Sequence, residues 1–547
     1  MKIFHKKSIL TLALTAILTA SAYSAETPPA NHFLAAPVYS VTHFDPAQTG
    51  VFPFTVHRGT FHVDLDKAPS VNGGPVNIQT FASTSPDHMW GISSNGITYI
   101  DIRGGDFKTV AKFTPSYVHY ITHEKIQHLL HQQHKTEDSV RKAVEETFGA
   151  DAERRLRSGA SSLVDKENVV YTTFFDPNTK KSILYAVTLK DPQKPEEGLE
   201  VKRMYDLSKI HPADSHENGF QMNLTYDGRL ILTSANILAV MERSFEGNPH
   251  IYTMEKQESV TNGVAVDHKN GIYVVSDHKM RKLVWTGTKI SDDEKDGAWT
   301  SDYELGTAAA LPRSGHGSGS TPVLMGFAEG EDKLVLITDG ANRVNLVAFW
   351  RDAIPEDFTQ KHGTKSRRVA DQFPLTMGLP RETERIHSAQ PVVVYKNGAF
   401  IANNISGGKE TKNRVENMLL TGPVHPAPVG VEKVEWDSKT KSFHRRWTRN
   451  DIVSNSMAPA MSYGSNLVFT SGYYKEIGWE VVGLDWETGK TEFRTVFGKN
   501  GFGNGGYGTL QFMKNGDLLF NSIGGPRRVN PEKMNEKHET EKEVAED

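Results

Sequence analysis

Cysteine is absent from all 547 residues. The chain therefore has no disulfide, no thiolate metal site and no cysteine nucleophile. Its stability must come from a buried core, and a chain of this length can bury a large one. An excess of positive charge is also missing: 62 Lys and Arg stand against 66 Asp and Glu, a formal charge of −4. No nucleic-acid-binding face is expected from that balance. Beyond residue 25 no segment is apolar enough to span a bilayer. Gly-x-Ser-x-Gly does not occur, which removes the nucleophile elbow of the serine hydrolases.

What is present begins at the N-terminus. Lys2, Lys6 and Lys7 precede an apolar run from Ile9 to Leu18, then small residues to Ala25. This is the order of a secretory signal over residues 1–25, and it predicts a periplasmic or secreted protein. The run is too short to cross a membrane, so no span remains after its removal. At the other end, residues 531–547 are almost all polar or charged and read as a disordered tail.

Between these ends one unit recurs: an apolar strand, a tight turn and a second apolar strand. The turns are Asp227-Gly228, Asn270-Gly271, Asn397-Gly398 and Asn515-Gly516, with weaker copies near Asn95-Gly96, Asn168, Asp332 and Asn466. Asn-Gly and Asp-Gly supply the positive φ angles that tight hairpins need. A second turn type, Asp485-Trp486-Glu487-Thr488-Gly489-Lys490 and its relatives at Asp437 and Asp176, gives another hairpin per unit. Four antiparallel strands per unit make a propeller blade. The fold expected is all-β: one seven- or eight-bladed β-propeller over residues 26–530. A segment at 118–158 breaks the pattern with helical spacing, Ile126, Leu129, Leu130, Val140, Val144 and Phe148, and reads as a helical insertion over one face.

Three local motifs have plainer readings. Gly501-Phe502-Gly503-Asn504-Gly505-Gly506 has dinucleotide-site spacing, but a strand follows it rather than a helix, so it reads as an inter-blade loop. The insertion holds His119, His123, His128, His131 and His134 without metalloprotease spacing. Asp292 to Asp296 resembles the start of a calcium loop, yet Tyr303 stands where its bidentate acid belongs.

Strand phase gives the candidate site. Residues just before each innermost strand line the mouth of a propeller's channel. Counting back from the turns reaches Asn218, Asn262, Thr321, Ala389, Ser456 and Gly506. Their neighbours include His216, Glu217, Ser320, Ser388, Gln390, Asn455 and Tyr507, with His316 and His387 close by. Converging amides, hydroxyls and imidazoles are what a small-molecule site requires.

Thr261-Asn262-Gly263-Val264-Ala265-Val266-Asp267, followed by Asn270-Gly271-Ile272-Tyr273-Val274-Val275, resembles the gluconolactonase, regucalcin and strictosidine-synthase-like propellers. That resemblance implies Ca²⁺ on the axis, with Asn262 and Asn218 as ligands; Glu217 and Asn455 add oxygen donors of the type calcium prefers. It also implies hydrolysis of a small ester or lactone at the channel mouth. His216, His316 or His387 would be the general base, and Ser320, Thr321, Ser388, Gln390, Ser456 and Tyr507 would hold substrate. The Asp485 turn is similar to blades of pyrroloquinoline-quinone dehydrogenases, which leaves an oxidoreductase as one alternative. A propeller that only binds a ligand or a protein is another. The signal reading carries its own test: mass spectrometry of the exported protein should find a first residue between Glu26 and Asn31 or a few positions earlier, and an intact Met1 on exported protein contradicts it.

Overall fold

The computed structural model describes residues 26–536, apart from 75, 133, 150–151, 212–218, 261, 308–315, 406–410, 412 and 456. The expected signal and the end of the charged tail lie outside the described residues. Seven sheets of four or more strands and an eighth of three stand around one axis as a β-propeller. Each blade is an antiparallel meander. Their first strands are Gln79–Ala82, Ser162–Val164, Gln221–Leu224, Ala265–Val266, Val323–Met325, Val393–Tyr395, Ala460–Ser462 and Leu510–Phe512.

The marked turns make hairpins. Asp227-Gly228, Asn270-Gly271, Asn397-Gly398 and Asn515-Gly516 each join a first strand to a second. Asn270 sits at φ 61° and Gly228 at φ 87°, in the left-handed region the sequence foretold. Asn95-Gly96 falls one strand later and joins the second and third strands of its blade. Between blades the gaps are filled by apolar side chains: Trp90, Tyr99 and Phe174 between the first two, Trp350 and Trp436 between the fifth and sixth. Indole N–H groups pin neighbours together. Trp285 donates to Asp227 of the preceding blade at 2.9 Å, and Trp436 donates to Asp332 at 2.8 Å.

The chain before the first blade does most to complete the ring, and its role was not expected. A first strand has a neighbour on one side only, so its inner N–H groups need acceptors. Residues 39–50 supply them from inside the channel. Ala82 of the first blade donates to the Tyr39 carbonyl and Val164 of the second to Ser40, at 2.8 and 2.9 Å. The Asn223 amide of the third and the Val266 N–H of the fourth both reach Pro46, at 3.0 and 2.7 Å. Leu324 donates to Ala47, Val394 to Thr49 and Met461 to Gly50 at 2.9–3.1 Å, which covers the fifth, sixth and seventh blades. The Tyr39 hydroxyl donates to the Phe512 carbonyl of the eighth at 3.1 Å. One short segment thus bonds to every blade.

The same segment then clasps the last two blades. Val51–Phe52 pairs parallel to Ala460–Ser462, and Gly59–His62 pairs parallel to the outer strand Thr491–Gly498. Ser70 and Gly74 bridge to Arg527 and Gly524, antiparallel to the eighth blade's third strand, Gly525–Val529. N-terminal chain therefore supplies what the three-stranded sheet lacks.

The insertion forms three helices, α1 (His123–His131), α2 (Glu137–Phe148) and α3 (Ala152–Arg155), and α4 (Arg414–Leu420) packs with them. Thr122 caps α1, a Thr136/Ser139 capping box starts α2, and Asn413 caps α4. Their apolar faces, with Ile126, Leu129, Val144, Phe148, Met418 and Leu419, join the core of the seventh and eighth blades. The glycine-rich loop serves this packing. A Cβ on Gly506 would run into the Met418 side chain, so glycine lets α4 pack closely there. Residues 531–536 are not a free tail: Asn535 accepts from the His62 N–H at 2.9 Å, and Glu536 donates its N–H to the His62 carbonyl at 2.8 Å.

The central segment yields a stability prediction. Tyr39→Phe removes a buried hydroxyl that donates to the Phe512 carbonyl and accepts from its N–H. It should lower unfolding free energy by about 1–2 kcal/mol in urea titrations, whereas an unchanged midpoint would show that this hub bond carries no weight.

Candidate functional site

Residues 39–50 close the channel to form a floor, and α3 and α4 stand over the mouth. Between them lies a cavity of about 190 Å³. All eight blades contribute from the residues at or just before their first strands, as strand phase suggested. Asn77 and Gln79 come from the first blade, Ser161 from the second, Gln221 from the third and Asn262 from the fourth. Thr321, Gln390 and Tyr507 come from the fifth, sixth and eighth. Thr42, His43 and Gln48 form the floor, and Leu156 and Arg414 reach in from the helical side. Arg414 is anchored: its Nε meets Glu153 Oε1 at 2.5 Å, and its N–H donates to Glu153 Oε2 at 2.8 Å. That pair ties α3 to α4.

Several candidates named from sequence stand elsewhere. His387 is 1 % exposed and lies behind the cavity wall, with its N–H donating to Asn403 at 3.2 Å. His316 is exposed on the surface, its ring 3.2 Å from the Gly306 carbonyl. Ser320 is buried and accepts the Thr338 N–H; Ser388 is buried too. Asn455 has both ends engaged, donating to the Thr421 carbonyl at 3.0 Å and accepting from Tyr473 at 3.1 Å. It does not line the cavity. His216, Glu217, Asn218 and Ser456 lie outside the described residues. Of the named set, Asn262, Thr321, Gln390 and Tyr507 share the cavity.

The floor was missed. His43 takes φ 60°, unusual for a residue with a side chain, and Tyr39, Phe44 and Gln48 also have positive φ. Such strain persists only where surroundings impose it, and it concentrates at functional sites. The His43 imidazole lies deep in the molecule, yet part of its surface faces the cavity. Burial with no compensating charge or hydrogen bond lowers its pKa to about 4. It is a neutral ring that offers one donor and one acceptor. Two residues on, burial raises Asp45 to about 6, against hydrogen bonds from the Thr49 hydroxyl and main-chain N–H groups.

The donors present do not match Ca²⁺. The described lining contains amide, hydroxyl and imidazole groups and Arg414, but no carboxylate. Among the described residues no group of three His, Asp or Glu side chains converges. Calcium sites with useful affinity draw on carboxylates, and the described lining offers none. In the insertion, His123 stacks on Phe502 and His131 meets Asp66 at 3.2 Å, which are packing roles.

No family model matches this chain. An uncharacterised protein of Archaeoglobus fulgidus is 32% identical over 343 residues, 61% of this chain and 62% of that protein. The chain thus covers less than two thirds of that relative. Among solved structures, Saccharomyces cerevisiae Sqt1 aligns at TM-score 0.44 and 9% identity, over 87% of this chain and 99% of its own. A putative 6-phosphogluconolactonase of Bacteroides fragilis aligns at 0.38 and 7%, over 78% and 91%. Virginiamycin B lyase of Staphylococcus aureus aligns at 0.33 and 10%, over 74% and 93%.

The two floor ionisations oppose each other. Between about pH 4 and 6 the folded chain keeps Asp45 protonated and His43 neutral, while the unfolded chain has the reverse, so the proton counts match. Their joint contribution to the pH dependence should be nearly flat there. His43→Asn leaves Asp45 alone, and stability relative to wild type should fall by about 2–3 kcal/mol as pH rises from 4 to 6. Asp45→Asn leaves His43 alone, and relative stability should rise over the same window. Denaturant titrations at several pH values check both signs; parallel profiles for all three proteins would refute the assignment.

Proposed function

We propose that this chain is an exported propeller that binds a small polar molecule in the cavity between the channel floor and the helices. The observation that carries this reading is the set of polar side-chain atoms that face one cavity without a protein partner. The His43 imidazole has no hydrogen bond or ion pair among the described residues, and Gln48 and Asn77, only 3% and 6% exposed, each leave an amide oxygen unbonded on the cavity side. Polar groups that face a cavity rather than protein are available to a bound molecule, and several such groups converging on one cavity are what a recognition site requires. The signal-like first 25 residues support export.

Hydrolysis of an ester or lactone fits the described groups less well. An imidazole with pKa about 4 is a weak base at neutral pH. It suits hydrogen bonding better than proton abstraction.

A thermal-shift screen of small polar molecules tests binding. Ligand at a hundredfold excess over its Kd should stabilise the protein by about 2.7 kcal/mol. Ala389 and Ala160 line the cavity, so bulky side chains there would extend into it. Ala389→Trp and Ala160→Leu should fold, as circular dichroism will show, and lose the shift. If no compound shifts wild type, or hits shift the blocked variants equally, the cavity is not a binding site.

A further inference from the structure

Resting on that reading, we propose that the ligand is an uncharged, polyhydroxylated molecule of about monosaccharide size, held chiefly through hydrogen bonds that it donates. The direction of the amides carries this. Asn77 spends both N–H bonds on the Leu156 and Ser158 carbonyls, each at 2.9 Å, which leaves its oxygen for the cavity. Gln48 donates to the Asp45 carbonyl at 3.0 Å, and Asn262 donates to the Gly319 carbonyl. Because each NH₂ faces a main-chain carbonyl, the placement of oxygen and nitrogen follows from the network itself. Three amide oxygens from the floor, the first blade and the fourth blade thus present acceptors without formal charge.

Charge then narrows the class. A cation would need a carboxylate, which the described lining lacks, and would share the space with Arg414. An anion would face the lone pairs of the three oxygens. Hydroxyl groups meet both constraints: they donate to amide oxygens and accept in turn from His43 or from Gln221 and Gln390, whose side-chain amides make no hydrogen bond to the described protein. The cavity of about 190 Å³ has room for several water molecules side by side, the space of a small ring such as a sugar or cyclitol.

Isothermal titration with hexoses, pentoses and inositols tests the class, each compared with an amino and a carboxylate counterpart. At least one uncharged polyol should bind wild type at least tenfold more tightly than its charged counterparts, and Ala389→Trp should abolish that binding. Gln390→Glu places a carboxylate on the wall without breaking an internal bond. It should reverse the order, so that the amino counterpart binds at least as well as the parent. If an amine or an acid binds wild type best and is excluded by Ala389→Trp, the class is wrong while the site stands. If the screen's ligand fills the cavity and no polyol competes with it, the class is wrong as well. If nothing binds wild type in either experiment, the site reading falls too.

Discussion

The innermost strand of a propeller blade has an edge with no neighbour, and in this molecule eight such edges face one channel. Residues 39–50 meet them with a carbonyl or hydroxyl for every blade. Each bond is worth about 1 kcal/mol net, while a buried N–H left unmet costs more. The hub's geometry is strained, with Tyr39, His43, Phe44 and Gln48 all at positive φ. Tyr39 packs edge-on to Phe44 with ring centroids 4.6 Å apart, and Phe52 stacks on Phe512 at 5.6 Å. Those aromatic contacts tie the strained segment to the core of the last two blades and hold it in place.

Site and hub are one object. The segment that satisfies the strand edges also carries His43, Gln48 and Thr42 into the cavity. The blades supply the walls from the residues before their first strands. The helices complete the enclosure through Glu153 and Arg414. A uniform ring thereby gains a site with a direction: acceptor oxygens toward the floor and the first and fourth blades, an arginine toward α4.

Much of this was legible from Asn-Gly and Asp-Gly turns. They fixed the hairpins, and phase counted from them reached Asn262, Thr321, Ala389, Gln390 and Tyr507, all of which line the cavity. The same counting named Asn455, Ser320 and Ser388, one or two residues off, whose side chains turn into the protein. A shift of one residue in an extended segment reverses the face. The floor left no such trace. Residues 39–50 have no strand or helix period, and all their left-handed positions but Gly50 fall on Tyr, His, Phe and Gln rather than the Gly and Asn that announce such geometry. Their shape is imposed by contacts across the whole chain.

That long reach sets an order of events. The hub is made first by the ribosome, but its last acceptor site, at Phe512, is made 473 residues later. Until then the early blades have exposed inner edges and the thread has nowhere complete to lie. Closing so long a loop is slow compared with forming local hairpins. An incompletely synthesised chain therefore holds the floor segment without the ring that shapes it, and the cavity exists only in the finished molecule. The cavity becomes a mark of completion, carried by a segment made before any blade.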